Sequence, residues 1–444
     1  VIDRREFLKI AGSTGLGFAA IDMALDELAA DTIASPDAPT QAGSAKNTIL
    51  TNASLIDGVQ PEPQLRATVV VKDGRIARVG LTPPTRTERH ETQVIDLGGA
   101  WLLPGLFDVH SHLSSPLQAL PGETAIDLYL RMGKEAMDAF AAGITSVRVV
   151  GAPDYSDVAW RNAFSRGLFL GPRLVVAGPG LSSTAGHGRY KTSADGPAAL
   201  RKLVRQRIQG DVDLIKVYIS GGVFGAHQET PNQTQFLPDE IEAIFQTAHQ
   251  RGYKVAVHAG NPEAVKQAVR AGAHTIEHGY VLDEEAIHLM VKQQVILVPT
   301  LMITFVTDEA AESPYEKEYV KRWPLPLALR QRANEQRPAH VQSFRAALQA
   351  GVPIASGSDQ NPLVQAAFLE IETLVRCGMA PMQAIMAATR VAAQAAAIDK
   401  ELGTVEPGKI ADLLVVNANP LDSIHHLRHT VMVIKEGRLA VDKR

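Results

Sequence analysis

Six side chains with ligand chemistry stand at the ends of short apolar runs. His110 and His112 close the stretch Gly105-Leu-Phe-Asp-Val-His-Ser-His-Leu113. On a β-strand, residues two apart face the same way. Both imidazoles can therefore aim at one point, as a metal site at the end of a buried strand needs. Lys216 lies in Asp213-Leu-Ile-Lys-Val-Tyr-Ile-Ser-Gly-Gly222, His258 in Val-Ala-Val-His-Ala-Gly, His278 in Thr-Ile-Glu-His-Gly, and Asp359 in Ala-Ser-Gly-Ser-Asp-Gln-Asn-Pro. Taken singly, each has a structural explanation: a hydrogen-bonded core histidine, a lysine paired with a carboxylate, an aspartate capping the helix that begins near Pro362. Taken together, four histidines, one lysine and one aspartate at the ends of five strands point to metal-assisted chemistry.

The elements that must position them alternate between strand and helix. Strands are expected near Leu106 to Ser111, Thr145 to Val150, Arg173 to Ala177, Leu214 to Ile219, Lys254 to Ala259, His274 to His278, Val295 to Pro299 and Pro353 to Ser356. Helices intervene at Ala125 to Ala142, after Val150 to Gly167, Ala199 to Ile208, Pro238 to Gln250, Glu263 to Ala271, Glu284 to Lys292 and Leu329 to Ala350, the last imperfect at Pro338. Eight such units over roughly 260 residues have the size and order of an α/β (β/α)8 TIM-like barrel, whose chemistry sits at the C-terminal strand ends. An open doubly wound sheet is disfavoured, because no Gly-rich phosphate turn follows the first strand. β-type runs at Thr48 to Ile56, Ala67 to Val79, Ala411 to Asn417 and Val431 to Ala440 carry tight-turn signals at Lys72-Asp-Gly74 and Lys435-Glu-Gly437. They predict a small composite β-sandwich domain from the N- and C-terminal segments. The expected division is 46–100 for its first part, 101–400 for the barrel and 401–444 for its second part.

The chain has 444 residues, is 45% hydrophobic and 21% charged, and carries a net charge of −4. That is ordinary globular composition, long enough for one large domain and a smaller one. The charge gives no reason to expect a nucleic acid or an acidic membrane surface as partner. The single cysteine, Cys377, excludes an intrachain disulfide and argues against a thiolate metal site. The first 45 residues read as leader and linker. Asp3-Arg-Arg-Glu-Phe-Leu-Lys9, followed by a Gly- and Ala-rich apolar run to Ile21, resembles a twin-arginine export signal. The run is too short and Gly-rich for a membrane span. The expectation is a periplasmic or secreted protein exported already folded, and a cytoplasmic one if the signal is not functional.

The constellation resembles the amidohydrolase superfamily, with His-x-His on the first strand, Lys on the fourth, His on the fifth and sixth, and Asp on the eighth. The local wording Ile-Lys-Val-x-x-Ser-Gly-Gly-Val, the Gln233-Thr-Gln-Phe236 segment, Ile-Glu-His-Gly and the Gly186-His-Gly188 loop resemble its imidazolonepropionase-related prolidase branch. One departure is Arg148-Val149, where many relatives carry Arg-Asp. The resemblance implies two divalent ions. His110, His112 and Asp359 would bind the more buried ion, His258 and His278 the more exposed one, and a carbamate on Lys216 would bridge them. An unmodified ammonium has no lone pair to give. Zinc is the expected metal for a His/carboxylate site with a position open to water. Asp359 would act as proton acceptor and donor, and Tyr218 and His187 are the expected oxyanion donors. Strand alternation places Tyr218 on the same face as Lys216, and His187 lies in a long Gly/Ser-rich loop.

The same branch implies hydrolysis of an amide bond that releases a C-terminal amino acid from a dipeptide or an N-acyl amino acid, an ochratoxin A-like N-acyl phenylalanine included. His187, Arg189, Tyr190, Tyr218 and His227 are the expected substrate-binding residues. The long stretch Phe305 to Pro326 is an expected lid. Competing readings are a cyclic amide hydrolase of the imidazolonepropionase or dihydroorotase kind, and a non-catalytic scaffold. Branch members often form large homo-oligomers, octamers included. The tail histidines His425, His426 and His429 are read as a surface turn rather than a metal site.

Overall fold

Most parallel strands of the central region are short, apolar and buried on both faces, as strands must be when helices cover the sheet, though Lys191–Ser193, at one edge, is polar and partly exposed. In the structure, a computed structural model that describes residues 47–90, 92–114, 122–188, 190–225 and 229–444, they form two sheets. Leu106–Ser111, Ile144–Val149 and Arg173–Val176 make one of three strands. Gly180–Ser182, Lys191–Ser193, Ile215–Tyr218, Val255–Ala259, Thr275–His278 and Ile296–Val298 make one of six. All the pairings are parallel, and a helix follows most strands. The expected eighth strand, Pro353 to Ser356, is not a regular strand. It makes one isolated bridge, between Ile354 and Leu297. It nevertheless bonds to both neighbours: Ala355 N–H donates to Leu297 O at 2.9 Å, and Val109 N–H donates to Ser356 O at 3.0 Å. Pro353 has no N–H to give, which shortens the ladder there.

Local signals end the covering helices. Thr124 and Asp127 form a capping box at the start of Ala125–Ala141. The Asn261 and Asp283 side chains accept N–H groups in the first turns of Pro262–Ala271 and Glu284–Gln293. The helix Leu327–Gln349 runs through Pro338.

Two β-rich ends meet in one eight-stranded sheet. Its path runs from Arg438–Asp442 through Thr430–Lys435, Leu413–Val416, Trp101–Pro104, Thr48–Leu55 and Gln64–Lys72 to Arg75–Gly80, with Gln93–Asp96 also paired to Thr48–Leu55. Both expected turns are two-residue hairpins, with Lys72 opposite Arg75 and Lys435 opposite Arg438. Their central residues all have positive φ: Asp73 49°, Gly74 78°, Glu436 48° and Gly437 74°. This is the type I′ conformation that matches strand twist. Residues Ala45–Arg444 form one compact unit. Among the described residues no helix is long and apolar enough to cross a membrane.

Two stretches read as loops from the sequence hold regular structure. The Gly/Ser-rich segment after the third strand contributes Gly180–Ser182 and Lys191–Ser193 to the sheet. The expected lid contains the helix Pro314–Arg322, whose Tyr319 is buried and donates its hydroxyl to Asn361 O at 2.5 Å. Its Tyr319 and Val320 face packs against the rest of the molecule, and its other residues are mostly exposed.

Candidate metal centre and active site

His110, His258 and His278 lie in the last two residues of their strands, Lys216 lies within Ile215–Tyr218, and the backbone leaves the β-region at His278, Asp359 and nearby Leu113. His278 has φ 75°, Asp359 φ 51° and Leu113 φ 53°. Left-handed backbone at non-glycine residues costs about 1–3 kcal/mol and persists where the surroundings hold it, most often at functional sites. Asp359 N–H donates to His110 O at 2.8 Å, which fixes the aspartate beside the first strand. The ligand atoms of His110, His112 and Asp359 lie within 4.8 Å of one another. Asp359 Oδ1 is 3.7 Å from His110 Nε2 and 3.3 Å from His112 Nε2. The His278 ring lies 4.9 Å from that of His110, and the His258 ring 4.3 Å from that of His278.

Hydrogen bonds choose the tautomers of the four histidines at the centre. His112 Nδ1 is 2.8 Å from Gly151 O, which can only accept, so Nδ1 carries the proton and Nε2 offers its lone pair. His110 Nδ1 is 2.7 Å from Glu277 Oε2 with the same consequence. His278 Nδ1 is 2.7 Å from Thr300 Oγ1, whose own proton goes to Pro299 O at 2.7 Å. His258 is reversed: its Nε2 faces Gly221 O at 3.0 Å, leaving Nδ1 as the donor atom. Burial pushes His110 down to about 4, helped by the Lys216 charge. Burial likewise holds His258 and His278 well below the ordinary imidazole range. All three are therefore neutral at pH 7, as ligands must be.

Lys216 is fully buried, and its Nζ has no hydrogen-bond partner among the described residues. It stands 5.0 Å from the Tyr218 ring centroid. Burial pulls its pKa down to about 8. A buried amine with no hydrogen-bond partner among the described residues is costly as an ordinary ammonium. The donor set fits a divalent ion: His110, His112 and Asp359 bring three ligand atoms together at one point.

The expected auxiliary residues divide. His187 stands 4.3 Å from the His258 ring and 5.7 Å from the Tyr218 ring. Its Nδ1 pairs with Glu229, and its backbone N–H donates to Gln235 Oε1 at 2.7 Å. Tyr218 packs against Gly180, where a Cβ would lie 2.4 Å from the ring. Tyr190 hydrogen-bonds Ser114 Oγ at 2.9 Å, with its ring 6.2 Å from His112. Arg189 and His227 lie outside the described residues. Of the tail histidines, His425 and His426 sit on a 3₁₀ turn, Ile424–Arg428, that His429 follows; His425 faces Glu372 at 3.0 Å and His426 faces Asn419 O at 2.7 Å. A cavity of about 860 Å³ lined by Phe305, Arg337, Arg345 and Arg376 contains none of the expected ligands.

Several residues around the centre were not singled out from the sequence. Glu277 is fully buried and accepts from His110 and from both Arg148 and Thr275. Burial opposes its charge, but Arg148 and His110 together hold its pKa well below the carboxylate range. Arg148, from which no functional role was read, also donates to Val109 O at 2.6 Å. Asp108 accepts the backbone N–H groups of His110 at 3.0 Å and Ser358 at 3.2 Å, and burial raises its pKa to about 7. The Glu277 signal lay in the quoted Ile-Glu-His-Gly; the Glu229 and Arg148 contacts join segments far apart in sequence.

Comparison with known proteins agrees with this geometry. The chain is 29% identical over 418 residues to ochratoxinase from Aspergillus niger, covering 86% of this chain and 83% of that one. It is 25% identical over 424 residues to imidazolonepropionase from Aromatoleum aromaticum, covering 85% and 92%. A solved Xaa-Pro dipeptidase with methionine bound in its active site superposes with a TM-score of 0.79 at 31% identity, covering 88% and 99%. The mixed α/β architecture is thus that of amidohydrolase barrels. With the Amidohydrolase family pattern matching residues 101–440, the chain belongs to the amidohydrolase family and is a hydrolase of carbon–nitrogen bonds.

Proposed function

We propose that the enzyme is a binuclear metal-dependent amidohydrolase that releases a C-terminal amino acid from a dipeptide or an N-acyl amino acid, an N-acyl phenylalanine of the ochratoxin type among its substrates. The observation that carries this reading is the fully buried Lys216 Nζ, without a hydrogen-bond partner among the described residues, in the strand region that carries four histidines and Asp359. Divalent ions, zinc being our expectation, would supply polarisation of the scissile carbonyl and acidification of a water. The residues do the rest. Burial lowers the pKa of Lys216 to about 8, so more of it is free amine at neutral pH, open to carbon dioxide with loss of a proton, than of an exposed lysine. The carbamate so formed turns a cation into an anionic oxygen ligand. Asp359 takes the proton of the attacking water and returns it to the leaving nitrogen. His187 and Tyr218, side by side next to His258, face the carbonyl oxygen as it gains charge. Tyr190, Arg189 and His227 contact the rest of the substrate.

The likeness to ochratoxinase and to a Xaa-Pro dipeptidase supports an open-chain amide. The likeness to imidazolonepropionase favours a cyclic amide as the second reading. The same proposal includes a homo-oligomer, an octamer in the fullest form, exported through a twin-arginine leader within residues 1–45. That leader lies outside the described residues. The deciding experiment measures metal per chain by elemental analysis beside a screen of dipeptides and N-acyl amino acids for the amino acid released. About two ions per chain and a free C-terminal residue are expected. Two ions with turnover of cyclic amides alone would select the second reading. A protein that stays metal-free after reconstitution with zinc and bicarbonate would overturn the proposal and leave the scaffold reading.

A further inference from the structure

The stretch after the fourth strand holds two histidines at once. Gly221 O accepts from His258 Nε2, and the Glu229 carboxylate pairs with His187 Nδ1 while also accepting Gly222 N–H at 2.9 Å. Gly222 lies so close to the His187 ring that a Cβ there would fall 2.4 Å from Cε1. The position of His187 is therefore the position of this stretch. What secures the stretch comes from elsewhere. Arg332, on the helix Leu327–Gln349, donates Nη2 to Gly222 O at 2.9 Å and to Glu229 O at 2.5 Å, and Nη1 to Gly225 O at 3.0 Å. One planar guanidinium thus spans both ends and the middle. Beside it, Ala333 of the same helix is buried in a cluster with Val223, Tyr280 and Ile303. Tyr280 in turn stacks on His278 with ring centroids 5.0 Å apart.

We propose that Arg332 is a positioning residue for His187. It fixes Gly222, Gly225 and Glu229 so that Glu229 presents the imidazole beside His258 and Tyr218. The assignment rests on the amide-hydrolase reading above for what His187 then does, but not for the clamp itself. Charged donors to carbonyls make strong hydrogen bonds, and a fixed fork reaches three acceptors where an ammonium cannot reproduce the geometry.

The test combines Arg332→Ala and Arg332→Lys with His187→Ala, alone and together, in the metal-loaded full chain. For Arg332→Ala, kcat on the best substrate is expected to fall on the order of 100-fold, with metal content and KM nearly unchanged. In the His187→Ala background the same change should cost almost nothing more, since both remove one function. Arg332→Lys keeps the charge and guards against a variant that fails to fold; it should recover only part of the loss. Fully additive losses, or an Arg332→Ala enzyme within threefold of wild type, would overturn the proposal. Amide hydrogen exchange over 221–236 needs no substrate and separates the two claims. Faster exchange in either Arg332 variant supports the clamp even if the amide-hydrolase reading fails. Unchanged exchange in a folded variant rejects the clamp even if that reading stands.

Discussion

Glu277 accepts Nδ1–H of His110 at 2.7 Å while Arg148 grips the same carboxylate at 2.8 and 2.9 Å. This buried chain sets which nitrogen His110 offers to the centre. Partners of this kind orient ligands and raise their basicity, and their loss costs about 10–100-fold in metal affinity. Glu277→Gln is therefore expected to weaken metal binding by that order, read by competition against a chelator of known affinity. An unchanged affinity would remove Glu277 from the centre.

Arg148 has a different signature. Its side chain and that of Glu277 are both almost fully buried. Removing one member leaves the other charge unpaired at a cost of about 3–5 kcal/mol. Arg148→Met should lower the melting temperature strongly in the metal-free protein. The double variant Arg148→Met with Glu277→Leu should recover part of that loss, because no lone carboxylate remains. A double variant less stable than Arg148→Met alone would contradict this account.

Thr300 plays the matching part for His278. Its hydroxyl donates to Pro299 O and so has only a lone pair to offer His278 Nδ1. Thr300→Val deletes the acceptor without changing volume much. On the two-ion centre proposed above, it is expected to reduce occupancy of the site that includes His278, so that elemental analysis after limited chelation falls toward one ion per chain. Thr300→Ser should behave as wild type.

These partners also mark the limit of what the sequence disclosed. His110 and His112 were legible because a strand has a period of two and both residues end one apolar run. Glu277 stood in the quoted Ile-Glu-His-Gly but carried no readable role, although it adjoins His278. Alternation sends neighbours to opposite faces, and only the left-handed φ of 75° at His278 turns both toward the same mouth. Glu229 and Arg332 meet across 103 residues through side chain and carbonyl, with no periodic trace. The helix Pro314–Arg322 was a different kind of miss. Ser313 and Glu316 form a capping box that a local reading could have found. The eighth strand was expected from its apolar run, but it holds its place with scattered bonds to Leu297 and Val109 rather than a ladder.

Tyr218 offers a steric test. A Cβ on Gly180 would fall 2.4 Å from the Tyr218 ring, and Gly180 is not among the positive-φ glycines. Gly180→Ala therefore crowds the ring without straining its own backbone. Displacing a catalytic group by even ~1 Å can cost about 100-fold. Gly180→Ala is expected to lower kcat by at least tenfold and to match Tyr218→Phe within a few-fold. A normal kcat in Gly180→Ala would show that the ring's position does not matter to turnover.

Glu370 makes the last prediction, on stability and pH. Its carboxyl is fully buried and accepts Leu301 N–H at 3.0 Å and Met302 N–H at 2.8 Å, just past the seventh strand. Burial outweighs these bonds and raises its pKa from 4.5 to about 8. In the folded chain the group keeps its proton until about pH 8, whereas the unfolded chain releases it near 4.5. Between these values the folded state binds more protons than the unfolded one, so stability falls as pH rises. The contribution is whole below about pH 4.5 and is lost by the time pH passes 8. Glu370→Gln cannot titrate and lacks this slope. The stability difference between wild type and Glu370→Gln should therefore move against the wild type from pH 5 to pH 8, measured by chemical denaturation of the metal-free protein. A difference that stays constant across that range would show that Glu370 is ionised in the fold, with the two backbone donors and not burial deciding its charge.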